Sequence, residues 1–263
     1  WHCFHALDQR TAYASIYTNL GCPYPCTFCN VNVVAGEPNF RPRTPESVLD
    51  EIEYLVDEHK VRNIRILDNV FTIRLDLVEE LCDRIIDKGL DLNMWCYARV
   101  ETIRNREILV KMKQAGVNWV AYGIEAASER VRKGVEKPSD QKVIDRAIEW
   151  TREAGIYIVG NFIFGLPEDD LETMQESLDM SKSYNFEWAN FYCAMAYPGS
   201  PLFDHAKKSN WPLPGDKGGP GWIGYSQHSY ESLPLPTNFL SSEEVLDFRD
   251  NAFDKYFTSP SYL

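Results

Sequence analysis

Three cysteines fall close together in the run Gly21-Cys22-Pro23-Tyr24-Pro25-Cys26-Thr27-Phe28-Cys29. Thiols spaced C-x3-C-x2-C on one short irregular loop can converge on a metal centre, and the intervening prolines stiffen the loop and lower the entropy lost on ligation. Two chemistries suit this set. A structural zinc site closes with four ligands, and His2, Cys3 and His5 stand upstream as candidates for the fourth. A four-iron four-sulfur cluster can be held by three thiolates with one iron left open, which gives a substrate or cofactor a place to bind. Cys3, Cys82, Cys96 and Cys193 show no ligand spacing, and cysteines of that kind are usually small core residues. Of the four, Cys193 lies near an expected strand end.

Composition narrows the partners. The 263 residues carry 27 Lys and Arg against 39 Asp and Glu, a formal charge of −12. That balance repels a phosphate backbone at long range and argues against nucleic acid. With 44% hydrophobic and 25% charged residues, the chain has the mix of a globular protein, not of a disordered or fibrous one. No run approaches ~18 consecutive apolar residues and no charged-then-apolar leader opens the chain, so a membrane span and secretion are not expected. The cytoplasm is the expected location, and seven cysteines without an export signal make a disulfide framework unexpected there. The first residue is Trp1, as in a fragment of a longer protein.

The elements that must position the cysteines alternate in type. Strands are expected at Ala12–Thr18, Asn63–Leu67, Asn93–Ala98, Trp119–Ile124, Tyr157–Phe164 and Trp188–Tyr197. Helices are expected from Pro45, at Leu75–Lys88, Arg106–Ala115, Asp140–Ala154 and Leu171–Tyr184, with Gly89, Gly116 and Gly155 as stops. The cysteines then lie on the connection after the first strand. Six βα units make a doubly wound sheet or most of a parallel barrel, and both place ligands at the carboxyl ends of the strands. After Pro198 the rhythm ends in an aromatic-rich tail containing Trp211, Trp222, Tyr225 and Tyr230, a lid or docking surface. One amphipathic helix closes it, with Ser241 and Glu244 as a capping box.

C-x3-C-x2-C with an aromatic, Phe28, before the last cysteine, on the loop after the first strand of a βα barrel, resembles the radical S-adenosylmethionine superfamily. The resemblance implies an α/β fold, a partial (β/α)6 TIM-like barrel over residues 1–202, with a C-terminal irregular and helical extension over 203–263 that packs on the barrel or on a missing domain. It implies that Cys22, Cys26 and Cys29 hold a four-iron four-sulfur cluster whose open iron binds S-adenosylmethionine. One electron, from a donor such as flavodoxin or ferredoxin, would cleave the sulfonium to methionine and a 5′-deoxyadenosyl radical that takes hydrogen from a small-molecule substrate.

Further segments extend the resemblance in strand order. Leu67-Asp68-Asn69 stands where relatives often carry a Gly-Gly-Glu stretch and departs from it; Asp68 would accept from the methionine amino group, or else cap a strand end. Arg99 suits the methionine carboxylate, the alternative being a surface ion pair. Tyr122-Gly123-Ile124-Glu125-Ala126-Ala127-Ser128 resembles the ribose-binding segment, with Glu125 accepting from the two hydroxyls or, alternatively, paired with Arg130 or Arg132. Asn161-Phe162-Ile163-Phe164-Gly165-Leu166-Pro167-Glu168 is similar to the adenine-facing strand and turn, with Ile163 on the ligand face and Gly165 allowing close backbone approach.

Leu20 to Cys26, Phe40 to Glu46 and Asp68-Asn69-Val70-Phe71-Thr72 look most like the cobalamin-dependent branch, whose members carry a cobalamin-binding domain upstream. On that resemblance the reaction is methyl transfer to an unactivated carbon, with cobalamin bound by a domain outside this chain. A cyclase or rearranging enzyme of the same branch, a methylthiotransferase without cobalamin, and a zinc-stabilised binding module are the alternatives.

Overall fold

The structure is a computed structural model and describes residues 12–36 and 38–262. His2, Cys3 and His5, the candidate fourth ligands, lie outside the described residues. Eight strands and nine α-helices are present among those described. In chain order they are β1 (Tyr13–Ile16), β2 (Asn19–Leu20), α1 (Val31–Ala35), β3 (Arg41–Pro42), α2 (Pro45–His59), β4 (Asn63–Ile66), α3 (Leu75–Asp87), β5 (Asn93–Ala98) and α4 (Glu107–Gln114). There follow β6 (Val117–Glu125), α5 (Glu129–Gly134), α6 (Gln141–Glu153), β7 (Tyr157–Phe164), α7 (Leu171–Tyr184), β8 (Trp188–Cys193), α8 (Pro201–Lys208) and α9 (Ser242–Phe257). Six strands form one sheet in the order β1-β4-β5-β6-β7-β8, the arrangement of a partial TIM-like barrel. β2 and β3 pair separately and antiparallel.

The chain divides into two compact units. The first holds residues 12–22, 39–123 and 142–159. Its strands alternate in burial as a parallel sheet covered by helices on one side requires: in β5, Met94, Cys96 and Ala98 are buried while Asn93, Trp95 and Tyr97 are half-buried on the other face. In the same unit Val48 and Ile52 of α2, Leu81 and Ile85 of α3 and Leu109 and Met112 of α4 are all buried. Each such side chain contributes about 1.5–3 kcal/mol on burial. α2 starts at Pro45 because Thr44 accepts the Ser47 N–H at 3.2 Å and proline suits the first helical position. On the uncovered face the Arg65 guanidinium stacks 4.7 Å from the Trp95 ring and donates to the Tyr97 hydroxyl at 3.1 Å.

The second unit holds residues 23–36, 38, 124–141 and 160–262. Its core is aromatic: Phe164 and Phe191 stack at 5.5 Å, with Phe248 of α9 edge-on to Phe164 at 5.0 Å. Here the tail earns its place, since α9 packs on β8 and α7. The expected capping box at Ser241 and Glu244 is formed. β8 is the last strand of the sheet. Beside it the Gln227 side-chain amide accepts from the Cys193 N–H and donates to the Cys193 carbonyl, both at 2.9 Å.

Differences from expectation cluster at short elements. α1, α5 and α8 are helices of eight residues or fewer, too brief to show an apolar period. β8 stops at Cys193 rather than Tyr197, because the Ala194 N–H still reaches Phe164 but Tyr197 turns back to the Met195 carbonyl at 3.1 Å. No helix of the described residues is long and apolar enough to cross a membrane.

Gly116 separates α4 from β6 at φ +96°, and a Cβ there would lie 2.3 Å from the Leu92 carbonyl oxygen. Gly116→Ala combines a strained φ with overpacking against backbone, each costing ~1–3 kcal/mol. Urea unfolding should show a loss of about 3 kcal/mol; an unchanged midpoint would mean that the α4–β6 turn is soft.

Candidate active site

The cysteine loop is closed at its neck and fastened in its middle. Asn19 pairs with Pro42 and Leu20 with Arg41, which brings the two ends of the loop together in the first unit. In the second unit the Thr27 N–H donates to the Val135 carbonyl at 3.1 Å and the Thr27 carbonyl accepts from the Leu202 N–H at 2.9 Å. Cys29 N–H turns back to the Cys26 carbonyl at 3.1 Å. Phe28 packs on two apolar clusters, one of Ala126, Val131, Val135, Leu166 and Ala194, the other of Ala196, Leu202, Ala206, Leu213 and Leu235. The aromatic before the last cysteine is thus the loop's hydrophobic anchor. Gly199, at φ +87°, lets the turn after β8 approach α1, since a Cβ would meet Val33 at 2.7 Å.

Cys26 is buried and Cys22 and Cys29 are partly exposed, and all six described cysteines are thiols without disulfides. Among the described residues, no three His, Cys, Asp or Glu side chains form a preassembled metal cage. The donor set itself fits an iron–sulfur cluster: three soft thiolate ligands on one tethered segment, with no disulfide competing for them. A loop of this kind completes its geometry on the metal, so that ligation energy is also ordering energy.

Asp68, at the end of β4, is fully buried. Its carboxylate accepts from the Thr18 N–H at 2.7 Å, the Asn19 N–H at 3.1 Å, the Asn19 side-chain amide at 2.5 Å and the Thr18 hydroxyl. Four donors match the four lone-pair sites of a carboxylate. Asp68 thus fastens the turn between β1 and β2, as the capping reading has it. Burial raises its pKa, and the bonds from Thr18 and Asn19 oppose the rise. Arg99, after β5, is buried and paired with Glu101, Nη2 to Oε1 at 3.0 Å and Nε to Oε2 at 3.3 Å. An ion pair is present as the alternative reading had it, but in the interior and not on the surface.

Glu125 ends β6 in a left-handed conformation, φ +69°, with the Ala126 N–H bonded to the Ile124 carbonyl at 3.0 Å. This is a γ-turn with positive φ on a residue other than glycine, a rare and strained form. The carboxylate is 6% exposed and pairs with the Lys137 ammonium, itself 5% exposed. The expected alternative partners are corrected. Arg130 pairs with Glu168 and Asp170. Arg132 donates to the Ala126, Ala127 and Ser139 carbonyls at 2.5–2.6 Å. Lys137 was not legible as the partner, because twelve residues of helix and turn separate it from Glu125 without a period to link them.

Ile163 packs on the same apolar cluster as Phe28. Gly165 has the positive φ, +81°, that its turn requires, but a Cβ on it would lie 2.5 Å from Val245 of α9. The Cβ side of Gly165 thus faces α9. The turn is fastened by Asp169, whose carboxylate accepts from the Gly165 N–H at 3.1 Å, the Leu166 N–H at 3.0 Å and the Thr173 hydroxyl at 2.8 Å. Its pKa is pushed up to about 7 by burial, with the Thr173 hydroxyl and the Leu166 and Gly165 amides opposing. Cys82 and Cys193 are pushed up to about 12 and Cys96 well above its ordinary value, each chiefly by burial, which leaves them protonated core thiols.

Comparison with known proteins gives consistent results. The family described as the Radical SAM superfamily matches residues 16–181. An uncharacterised methyltransferase of Pyrococcus horikoshii is 30% identical over 252 residues, 95% of this chain and 52% of that protein. An anaerobic magnesium-protoporphyrin IX monomethyl ester cyclase of Rubrivivax gelatinosus is 27% identical over 92% of this chain and 42% of its own length. The chain thus spans about half the length of these curated relatives or less. Among solved structures, the radical S-adenosylmethionine methyltransferase TsrM from Kitasatospora setae, with cobalamin and a [4Fe-4S] cluster bound, shares the fold with a TM-score of 0.69 at 21% identity, over 76% of this chain and 38% of that one.

Asp169 generates a stability prediction with a definite sign. Between its ordinary pKa of 3.8 and about 7 the folded protein keeps a proton that the unfolded chain has lost, so this group makes stability fall as pH rises through that window. Asp169→Asn should narrow the difference between urea midpoints at pH 5.5 and pH 8. An unchanged difference would place the carboxylate's pKa outside the window.

Proposed function

The chain belongs to the radical SAM superfamily, and on that premise we propose that it is the catalytic part of a cobalamin-dependent radical methyltransferase acting on an unactivated carbon of a small molecule. Cys22, Cys26 and Cys29 hold the four-iron four-sulfur cluster. Held there, the cluster would supply one electron for cleavage of S-adenosylmethionine to methionine and a 5′-deoxyadenosyl radical able to take a hydrogen atom from substrate. The protein's own groups orient the cofactor. Glu125 accepts from the ribose hydroxyls, Phe28 and Ile163 supply the apolar wall for adenine beside Gly165, and Arg99 exchanges Glu101 for the methionine carboxylate.

The observation that carries this reading is the bond from Thr27 to Val135. It joins the segment bearing Cys26 and Cys29 to the turn that ends two residues before Lys137, the partner of Glu125, so ligand loop and ribose acceptor are one hydrogen-bonded assembly in the second unit. Methyl transfer is favoured by the methyltransferase relative and by the cobalamin-bound neighbour. The methyl-carrying cobalamin belongs to a domain outside these residues, packed in part by residues 203–263. The electron comes from a flavodoxin or ferredoxin, and the reduced thiols suit the cytoplasm. Cyclisation is the second reading, favoured by the protoporphyrin ester cyclase relative.

Two measurements test the assignments. Protein purified without oxygen should contain iron and acid-labile sulfide, and replacing Cys22, Cys26 or Cys29 by Ala should remove both along with reductive formation of 5′-deoxyadenosine; zinc without sulfide would establish a binding module instead. Glu125→Ala should keep the iron and weaken S-adenosylmethionine binding about tenfold or more, the worth of hydrogen bonds to a charged acceptor. An unaltered dissociation constant would move the ribose contact elsewhere.

A further inference from the structure

We propose that Arg65 is the substrate anchor: its guanidinium, held on the sheet face by Trp95 and Tyr97, binds an oxyanion and selects a small molecule bearing a carboxylate or phosphate group. The inference rests on the reading of this chain as a radical methyltransferase and names the class of molecule that it acts on.

The anchor follows from strand register. Ser15 of β1, Arg65 of β4, Trp95 of β5 and Trp119 of β6 stand side by side in one row across the sheet of the first unit. On this face of β5, opposite the helix-covered one, Asn93, Trp95 and Tyr97 are half-buried. Arg65 is half-buried with them. Its guanidinium carbon lies 4.7 Å from the centre of the Trp95 ring and 5.9 Å from that of Tyr97, and it donates to the Tyr97 hydroxyl at 3.1 Å. The two rings meet edge-to-face at 4.3 Å, so the cation rests on a braced aromatic support.

The neighbouring row bounds the face on the amino side of the strands. Asn93 donates to Asn63 at 2.9 Å, Asn118 to Asn93 at 3.0 Å and the Lys113 ammonium to Asn118 at 2.6 Å, a floor of linked amides. On the carboxyl side, Arg99 follows the last residue of β5, roughly 13 Å from Trp95 at the ~3.3 Å rise per residue of a parallel strand. With the methionine carboxylate at Arg99, a substrate anchored at Arg65 turns its anionic end to the floor and its reacting carbon to the cofactor.

The donor chemistry selects the ligand. Arginine stays charged at any physiological pH and offers its donors in a planar fork, the match for two oxygens of a carboxylate or phosphate. The π-faces attract the cation but supply no acceptor in the plane of that fork. An entering oxyanion engages the fork edge-on and leaves the stack in place, and half-burial strengthens the pair relative to one in water. A neutral molecule of the same shape gains neither charge nor fork.

The test is calorimetric binding of benzoate, phenyl phosphate and neutral benzamide to the cluster-loaded full-length protein with S-adenosylmethionine present. Benzoate or phenyl phosphate should bind about tenfold or more tightly than benzamide, the worth of a hydrogen bond to a charged group. The tighter of the two identifies the oxyanion as carboxylate or phosphate. Arg65→Gln should bring that anion down to the affinity of benzamide, and Arg65→Lys, a point charge without the fork, should fall between. Equal or unmeasurable affinities for all three probes overturn the anchor. So does an anion affinity unchanged in Arg65→Gln, which marks an adventitious ion only. Should Arg65→Gln lose its iron, the unsubstituted protein decides: phenylglyoxal, which modifies guanidinium groups, should label Arg65 less when the preferred anion is present, and equal labelling overturns the anchor. Iron and acid-labile sulfide read the underlying function separately. Zinc in their place, with anion binding that depends on Arg65, overturns the radical reading and keeps the anion site, whereas an iron–sulfur protein indifferent to Arg65→Gln overturns the anchor alone.

Discussion

Arg132 carries an unusual share of this structure. One guanidinium donates to three backbone carbonyls, those of Ala126 and Ala127 at the exit of β6 and of Ser139 at the entry to α6, and a hydrogen bond from a charged donor contributes about 1.5–3 kcal/mol. Its planar fork suits oxygens fixed at set angles, as a lysine's ammonium would not. Because the same residue's own carbonyl caps the end of α5, the segment from Glu125 to Ser139 becomes a closed circuit of hydrogen bonds. The strained backbone at Glu125 persists because its surroundings admit no alternative.

The same economy recurs wherever a strand ends in a polar side chain. Asp68 is spent on the turn after β1, Arg99 is joined to Glu101, and Asp169 secures the turn after β7. Each of these charged or acidic groups finds its partners inside its own unit. Only some have capacity left over. A carboxylate with four donors has none, whereas a carboxylate held by one ammonium has most of its lone pairs in hand, which separates Asp68, just past β4, from Glu125, the last residue of β6.

Much of this was legible in the amino-acid order. Strands Asn93–Ala98 and Tyr157–Phe164 and helix Leu171–Tyr184 occupy the expected residues because each combines a clear period with a breaker or cap at its ends. The cysteine spacing pointed to the loop, and Phe28 to its anchor. What could not be read are pairings without periodicity. Lys137 reaches Glu125 through a helix end, Val245 fills the space over Gly165 from eighty residues away, and Thr18 and Asn19 exhaust Asp68 from the neighbouring strand's exit. A residue type announces what it can bond to; which of its bonds are already taken is decided by tertiary contacts.

The side-chain amide of Gln227 presents to Cys193 the donor and acceptor that a neighbouring peptide would offer. Nearby the Leu235 N–H serves the Ala194 carbonyl, and Tyr256 and Tyr262 donate to the carbonyls of Phe186 and Glu187 just before β8. A sheet that stops short of closing usually exposes a template on which another extended chain can grow, and this one has its terminal hydrogen-bonding sites occupied piecemeal by the tail. Along that margin these bonds leave fewer backbone groups for another strand to pair with.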